Sequence, residues 1–405
     1  MPDFGAHDLD AFRAEVRDWL AANFPKNLSG QALPMEGPED RSADREAWRK
    51  AMGETGWGVP TWPKAYGGGG LSKDQAKALA EEMNRIGAYN PIGGMGVIMF
   101  GPTLLEYGNE DQKQRHIPPI VRADLRWCQG FSEPGSGSDL ASLSTKAVDA
   151  GDHYVVNGSK IWTSGAHLAD WCFCLVRTDP TKKHEGISFL LIDMKSPGVE
   201  ARPILLINGT TPFCETFFTD VKVPKENLVG PLNGGWTIAK RLLQHERQGI
   251  SGAGQLTPGA QAGSVGGPPL EVLAKDYIGL DAAGRLADTD LRNRIAAHLM
   301  EERAFQLTGR RAAEESRSNQ GPSAVSSILK NVGSKVRQER AELTVEVLGA
   351  QGLGWSGDAF SNDELTATRA WLRGKSGTIA GGSYEIQNNI ISKRILGLPE
   401  TTQKG

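Results

Sequence analysis

The sequence predicts an α+β chain in three parts: an N-terminal helical domain (residues 1–125), a middle antiparallel β domain (126–232) and a C-terminal helical bundle of the four-helix type (233–405). Two observations carry this prediction. Apolar residues recur at helical spacing in both outer parts, whereas the middle part has short apolar or alternating runs separated by turn residues. Helices followed by strands and then by helices are typical of α+β chains rather than of alternating βαβ units.

The N-terminal part shows the helical period most clearly. Apolar residues between positions 9 and 20 recur every three or four residues and define the buried stripe of a first helix, which Pro25 should end. Residues 46–53 and 72–86 repeat the pattern, and Ser72 is placed to cap the second of these helices. We therefore expect a helical layer before the first strand.

The middle part carries strand signals. Residues 153–160 read as two strands around an Asn-Gly turn, which is a strong hairpin pattern. Residues 171–177, 187–193 and 215–223 alternate or run apolar, with turn residues between them. These runs predict a small antiparallel sheet.

Helical patterns return after residue 234. They cover residues 236–247, 288–316, a helix from Pro322 to about 348, and 383–396. Residues 252–269 are rich in glycine and proline, so we expect a loop that interrupts the helical pattern there.

Composition narrows the class of protein. The 405 residues are 39% hydrophobic and 23% charged with a net charge of −3, which is typical of a soluble globular protein and offers no basic surface for nucleic acid or an anionic membrane. We see no signal peptide, no membrane helix, and no zinc or disulfide spacing among the four cysteines, so we expect a cytoplasmic protein with reduced thiols. Seven scattered histidines predict no metal site, and the absence of a Gly-x-Gly-x-x-Gly or Walker A sequence disfavours nicotinamide binding on a doubly wound sheet.

The most informative text lies at the start of the β domain. Residues 127–140 read Trp-Cys-Gln-Gly-Phe-Ser-Glu-Pro-Gly-Ser-Gly-Ser-Asp-Leu, and residues 160–165 read Lys-Ile-Trp-Thr-Ser-Gly. Gly135 and Gly137 fall in a loop after a strand, where small residues let backbone N–H groups approach an anionic group. The Glu-Pro-Gly step, taken alone, is more typical of a surface turn.

Together these segments resemble the flavin-binding signature of the acyl-CoA dehydrogenase family. The resemblance covers essentially the full length and includes Gly56-Trp57, Trp62-Pro63 and the run Gly-Gly-Ser-Tyr-Glu-Ile-Gln at 381–387. It implies bound FAD and α,β-dehydrogenation of an acyl-CoA thioester to the 2-enoyl-CoA, with proton abstraction at Cα and hydride transfer from Cβ to flavin N5. It also implies an electron-transferring flavoprotein as partner and a homodimer or homotetramer, because flavin contacts come from two chains.

The resemblance also assigns cofactor-binding residues, which are Phe131, Ser132, Gly137, Ser138, Trp162, Ser164, Glu346, Gly349, Ser383 and Glu385. The hydroxyl of Ser132 and the peptide of Phe131 would lie along the edge of the flavin ring. Trp162 would stack beside the ring, and Ser164 would contact its N5 side.

The remaining positions reach other parts of the ligands. Residues 137–138 would approach the flavin and the thioester, so Ser138 is also expected to bind substrate. Glu346 and Gly349 fall where the family binds the adenosine of a neighbouring subunit's flavin. Ser383 and Glu385 fall on a loop that meets the pyrophosphate and adenosine of the chain's own flavin.

One departure from the family concerns that pyrophosphate. The Arg-x-Phe-Gly segment that reaches another subunit's pyrophosphate is not recognisable, and Ile-Gly-Leu-Asp at 278–281 stands in its neighbourhood. Arg285 and Arg292 are the nearest basic candidates to take its place.

A second departure concerns the catalytic base. Many family members carry their glutamate where this chain has Gly381, whose backbone N–H can still donate to the thioester oxygen as enolate character develops. A subset of the family places the base on the helix that opens the C-terminal domain, and Glu246 takes that place. Arg247 either shapes and charges the substrate pocket or forms a structural salt bridge. Without the family context, Glu246 is typical of a surface carboxylate paired with a cation one turn away, such as Arg241.

Two alternatives remain open at this point. The chain could be a base-deficient or partner subunit of a heteromeric acyl-CoA dehydrogenase, or it could perform non-oxidative acyl-CoA chemistry on the same scaffold. Acyl chain length and branching are not readable from the sequence. The insert at 252–269 either widens the acyl end of the pocket for a bulky group or is a simple loop.

Overall fold

The computed structural model describes residues 6–31, 42–250, 268–318 and 326–399. The chain forms two compact units: the first contains Met1–Ile204 and Thr211–Gln261, and the second contains Leu205–Thr210 and Ala262–Gly405. None of the helices in the described ranges combines the length and apolar composition that a membrane span requires.

The helices that precede the sheet in the described part of the first unit are α1 (Ala6–Asn23), α2 (Ala43–Thr55), α3 (Lys73–Arg85), α4 (Gly101–Tyr107) and α5 (Glu110–Val121). The predicted stripe of α1 is buried at Phe12, Val16 and Leu20. Ser72 caps α3 as predicted. Its hydroxyl accepts from the backbone N–H of Gln75, whose side chain accepts from the N–H of Ser72 in return.

The sheet follows these helices. Its described strands are β1 (Trp127–Gly130), β2 (Lys146–Asp149), β3 (His153–Ser164), β4 (Trp171–Arg177), β5 (Ile187–Asp193), β6 (Val199–Ile204), β7 (Phe213–Pro224) and β8 (Leu228–Val229). Their order is β6-β7-β3-β2-β4-β5-β8, with β1 paired to β4. The pairs are antiparallel except for β1 with β4 and the short contact of β2 with β4. The predicted helix–strand–helix order and the mainly antiparallel middle sheet are confirmed.

The predicted Asn-Gly hairpin is wrong. Asn157 and Gly158 lie inside β3, and the chain reverses earlier, at residues 150–152 between β2 and β3. Because β3 pairs with β2 on one edge and with β7 on the other, these long-range partners outweigh the local turn preference, and the Asn-Gly pair forms a register irregularity instead. Gly158 has φ 150°, and a Cβ there would lie 2.6 Å from Oγ1 of Thr145.

Helix α6 (Gly235–Ile250) follows the sheet and belongs to the first unit, although the sequence-based division starts the C-terminal domain at residue 233. Its apolar residues Ile238, Ala239 and Leu242 are buried in the same core as Phe189 of β5. The helix was predicted at 236–247 and is longer at both ends. Residues 252–267, which are most of the predicted Gly-rich loop at 252–269, lie outside the described residues.

The second unit is helical in its described part. It contains α7 (Leu270–Ile278), α8 (Thr289–Ser318), α9 (Ser326–Leu348), α10 (Asn362–Gly374) and α11 (Tyr384–Ile390). Leu291 and Ile295 of α8 pack with Leu343 and Val347 of α9 in its core. The predicted start of α9 at Pro322 lies outside the described residues.

Candidate active site

A buried ion pair anchors the loop of residues 131–138 that follows β1. The Glu133 carboxylate, 6% exposed, accepts hydrogen bonds from Nζ of Lys160 (2.7 Å), the N–H of Thr145 (2.9 Å), and the N–H and hydroxyl of Ser144 (2.7 and 2.9 Å). Burial alone would raise the pKa of Glu133, but the charge of Lys160 and these hydrogen bonds outweigh it and lower the pKa to about 2. Lys160 also donates to the carbonyl of Phe131 at 3.1 Å, so the loop is held at two points.

The glycines of this loop face open space. A Cβ built at Gly135 or Gly137 would meet no atom within 4 Å, and neither residue has a positive φ. Below them, the hydroxyl of buried Ser136 lies 3.0 Å from the carbonyl of Asp139. Since neither crowding nor backbone conformation requires glycine here, the glycines leave room for a ligand to approach the backbone.

Trp162 has an unusual backbone conformation on β3. Its φ is 60°, a left-handed value that is strained for a bulky residue, and it lies where the pairing of β3 with β7 shifts register between Lys160 and Thr163. The side chain is 54% exposed and contacts the ring of Phe213 edge-on at 6.1 Å. Strain of this kind persists where the surrounding structure holds it, and it is typical of functional sites.

The structure brings the predicted β-domain residues together. The N–H of Ile161 donates to the carbonyl of Ser132 at 2.8 Å, so the 131–138 loop lies against the part of β3 that carries Trp162 and Ser164. Phe131 is buried, with its ring edge-on to Phe173 at 6.0 Å, so its peptide rather than its ring can face a ligand.

Sequence reasoning missed two parts of this surface. The partnership of Glu133 with Lys160 spans 27 residues, and its only sequence signal was the presence of both residues in the two conspicuous segments. The left-handed conformation of Trp162 had no sequence signal.

The predicted base lies on α6. Glu246 and Arg247 are in the last two turns of this helix, and their side chains lie outside the described residues. Arg241, the cation suggested as a structural partner for Glu246, binds Glu106 of α4 through Nε (2.8 Å) and Nη2 (2.7 Å). Nε2 of His245 also lies 3.2 Å from Glu106, so α4 holds this part of α6.

In the second unit, Glu346 of α9 and Gly349 just after it, both predicted to contact adenosine, have different surroundings. Glu346 forms a bidentate ion pair with Arg294 of α8, with both N–O distances 2.6 Å. Gly349 follows the end of α9 with φ 56°, and a Cβ there would meet no atom within 4 Å. Glu346 therefore has a structural partner, whereas Gly349 presents an open backbone.

Before α11, a Cβ built at Gly381 would meet no atom within 4 Å, whereas one at Gly382 would lie 2.8 Å from Nε2 of Gln387. Gly381 has φ 67°, its carbonyl accepts from the Gln387 amide at 3.0 Å, and its N–H has no acceptor among the described residues. Ser383 caps α11 by accepting from the N–H of Ile386, and a hydrogen bond from Ser383 lowers the pKa of the Glu385 carboxyl.

The candidate replacements for the missing arginine differ from each other. Arg285 forms an ion pair with Asp281 at 3.0 Å, so its charge has a partner within the same turn. Arg292 lies in the first turn of α8 and is half-buried. Neither arrangement by itself identifies a phosphate ligand.

Family models cover most of the chain. The N-terminal, middle and C-terminal domains of acyl-CoA dehydrogenases match residues 6–124, 128–221 and 233–396. The chain belongs to the acyl-CoA dehydrogenase family, whose members are flavoprotein oxidoreductases, and it is an enzyme of that class.

Relatives and solved structures agree with this assignment. The chain is 36% identical to the acyl-CoA dehydrogenase IpdE1 of Mycobacterium tuberculosis (strain ATCC 25618 / H37Rv), over 97% of this chain and 98% of the relative. It is 29% identical to the mouse (Mus musculus) mitochondrial short-chain specific acyl-CoA dehydrogenase, over 86% and 82%. The structure named Tcur3481-Tcur3483 steroid ACAD matches with TM-score 0.73 and 28% identity over 99% and 100% of the chains. The ChsE4-ChsE5 complex of Mycobacterium tuberculosis matches with TM-score 0.70 and 29% identity over 99% and 100%.

Proposed function

We propose that the chain is an FAD-dependent dehydrogenase that converts an acyl-CoA thioester to the 2-enoyl-CoA. The observation that carries this proposal is the open surface formed by the glycine loop at 135–137 and the exposed, strained Trp162, in a chain of this family. Bound FAD supplies the acceptor for the hydride that leaves Cβ.

The residues of the β domain are suited to contact the flavin ring of FAD. Phe131 and Ser132 would line one edge of the ring through their backbone and hydroxyl, Trp162 would cover it from the side, and Ser164 would lie near its reactive nitrogen. The Glu133–Lys160 pair, itself buried, would keep the loop in the shape that allows these contacts. Gly137 and Ser138 would lie between cofactor and thioester.

Glu246 is the base that we propose for the α-proton. Gly381 carries no carboxylate, and Arg241, one of the cations that could pair with Glu246 on the helix surface, is bound to Glu106. The N–H of Gly381, which has no acceptor among the described residues, would donate to the thioester oxygen, and Arg247 would line the substrate pocket. Because the α-proton is weakly acidic, both the base and the oxygen donor contribute to its removal.

The substrate is proposed to be bulky. One of the solved structures that match this chain is named as a steroid ACAD. We propose a polycyclic acyl-CoA in preference to a short straight chain, and we propose that the Gly-rich insert at 252–269 makes room for it. The same proposal includes three further parts. The adenosine of FAD would be contacted by Glu346, Gly349, Ser383 and Glu385. Electrons would pass to an electron-transferring flavoprotein, and the protein would be cytoplasmic.

The test is a panel of thioesters offered to the purified yellow protein. Short-chain, long-chain, branched and steroid-side-chain acyl-CoA substrates would be mixed with it under anaerobic conditions, and flavin absorbance and turnover with a ferrocenium acceptor would be followed. We expect bleaching and 2-enoyl-CoA formation with at least one polycyclic thioester. Product formed without any electron acceptor would instead support non-oxidative chemistry.

A second candidate is a subunit of a heteromeric dehydrogenase. Two of the solved structures that match this chain are named as pairs of different proteins, Tcur3481-Tcur3483 and ChsE4-ChsE5. Expressing the chain alone separates the candidates. A stable yellow homodimer or homotetramer supports the self-sufficient enzyme, whereas an insoluble or colourless chain that becomes yellow only with a co-expressed family member supports the heteromer.

A further inference from the structure

One lysine of the β domain is fully buried against the 131–138 loop. Nζ of Lys160 has two oxygen neighbours, the Glu133 carboxylate at 2.7 Å and the carbonyl of Phe131 at 3.1 Å. The first contact supplies the counter-charge that a buried carboxylate needs. The second contact is of a different kind, because it places the ammonium directly against one peptide group of the loop.

The orientation of that peptide group, between Phe131 and Ser132, is fixed. The peptide bond is trans, as are the others in the described residues, so its C=O and N–H point in opposite directions. Since the carbonyl points at the buried ammonium of Lys160, the N–H of Ser132 points away from it. The carbonyl of Ser132 accepts from the N–H of Ile161 at 2.8 Å, which holds the loop against β3 at a second point.

The N–H of Ser132 is a donor that the fold does not use. It has no acceptor within the described ranges, and Ser132 is only half-buried. Backbone N–H groups are satisfied almost everywhere in native proteins, so this one is available to water or to a bound ligand. It belongs to the same loop as Gly135 and Gly137, whose backbone is open to a ligand.

The charge of Lys160 strengthens this donor. A hydrogen bond from a charged group is stronger than a neutral one, and hydrogen bonds in series polarise each other. The ion pair presents its positive end to the Phe131 carbonyl, whereas the carboxylate oxygens also accept from the N–H groups of Ser144 and Thr145 before β2. Because Lys160 is fully buried, water screens this charge little.

We infer that Lys160 raises the reduction potential of the flavin through the peptide group of Phe131 and Ser132. Charges and hydrogen bonds near the ring tune a flavin's electronics, and reduction adds electron density to the ring. A donor strengthened by a fixed positive charge therefore binds the reduced form more tightly than the oxidised form. This inference rests on the proposed function, which puts the flavin ring against this loop. Lys160 is a positioning residue, because it acts through the peptide and is closed off from the surface.

The experiment separates the charge of Lys160 from the shape of the loop. Lys160→Met removes the cation, and Glu133→Gln breaks the same ion pair but keeps the cation. Lys195→Met is the control, because it removes a cation from an exposed pair with Asp170. Circular dichroism would first establish that each variant is folded. The reduction potential of the FAD-loaded proteins would then be measured against a dye of known potential.

The expected shifts differ between the variants. In Lys160→Met the equilibrium constant for flavin reduction should fall about tenfold, which is about 30 mV for a two-electron couple. In Glu133→Gln the potential should equal or exceed that of the wild-type protein, and in Lys195→Met it should be unchanged. If Lys160→Met does not fold, Lys160→Gln takes its place, since it keeps a donor for the Phe131 carbonyl without the charge.

The affinities for the two forms of FAD measure the same quantity independently. By linkage, the shift in potential equals the change in the ratio of the affinities for reduced and oxidised FAD. Protein stripped of flavin would be titrated anaerobically with each form. Lys160→Met should lose about tenfold more affinity for reduced FAD than for oxidised FAD, whereas a merely loosened loop would weaken the binding of both forms equally.

Two results would overturn the inference. One is an unchanged potential in Lys160→Met, and the other is a potential that falls in Glu133→Gln as far as it does in the lysine variant. Failure of the proposed function looks different. A wild-type protein that binds FAD but is bleached by no acyl-CoA would refute the dehydrogenation, while a lowered potential in Lys160→Met would still support the inference. A wild-type protein that binds no FAD would refute both.

Discussion

Replacing Lys160 by Met should destabilise the first unit strongly. The Lys160 side chain is 0% exposed and the Glu133 side chain 6% exposed, so the substitution would leave a carboxylate buried with hydrogen-bond donors but no counter-charge. Removing one partner of a buried ion pair typically costs about 3–5 kcal/mol. A carboxyl whose pKa falls from 4.5 to about 2 on folding contributes roughly 3 kcal/mol at neutral pH, which agrees with the lower end of that range.

The sign of the pH dependence follows from the same pKa. Because folding lowers the pKa of Glu133, its contribution is complete above pH 4.5 and is lost as the pH falls toward 2. In Lys160→Met the pKa of Glu133 should rise, so the acid-induced loss of stability should begin at a higher pH than in the wild-type protein.

Urea unfolding followed by circular dichroism between pH 3 and pH 8 measures both effects. Lys195→Met is the matched control because Lys195 pairs with Asp170 at 2.9 Å while 77% exposed, and such surface pairs contribute about 1 kcal/mol or less. A loss of stability in Lys160→Met no larger than in Lys195→Met would refute the argument that the ion pair anchors the loop.

Three further predictions follow from single positions. Gly137→Ala should leave the free energy of unfolding unchanged and weaken FAD binding, because the added Cβ points into open space where the ligand would approach. A variant that loses stability as well as FAD affinity would contradict this. Gly186→Ala should destabilise the fold itself, as its Cβ would lie 2.0 Å from the carbonyl oxygen of Asp179, and a normal melting temperature would show otherwise. Ser72→Ala should lower the free energy of unfolding, measured in urea, by about 1 kcal/mol because the α3 cap is lost. An unchanged free energy of unfolding would show that the cap does not stabilise the protein.

The sequence predicted those secondary-structure elements that depend only on neighbouring residues. The apolar runs at 171–177 and 187–193 became β4 and β5 with the predicted ends, because each strand is buried along nearly its whole length and the turn residues beside it are polar. Ser72 and Gln75 form a cap within four residues, so the sequence contains everything that determines it.

Features that depend on distant partners were not predictable in this way. Asn157 and Gly158 have strong turn preferences, yet pairing with β2 and β7 keeps them in an extended strand. Arg241 lies 135 residues from Glu106, so nothing in the local sequence identified its partner. The backbone strain at Trp162 likewise arises from the register shift between two strands.

The most direct test of the central claim, that Glu246 removes the α-proton, is the rate of anaerobic flavin bleaching in Glu246→Gln. We expect a folded yellow protein that binds acyl-CoA and bleaches at least about a hundredfold more slowly than wild type, with partial recovery in Glu246→Asp. A bleaching rate in Glu246→Gln close to that of the wild-type protein would contradict the assignment.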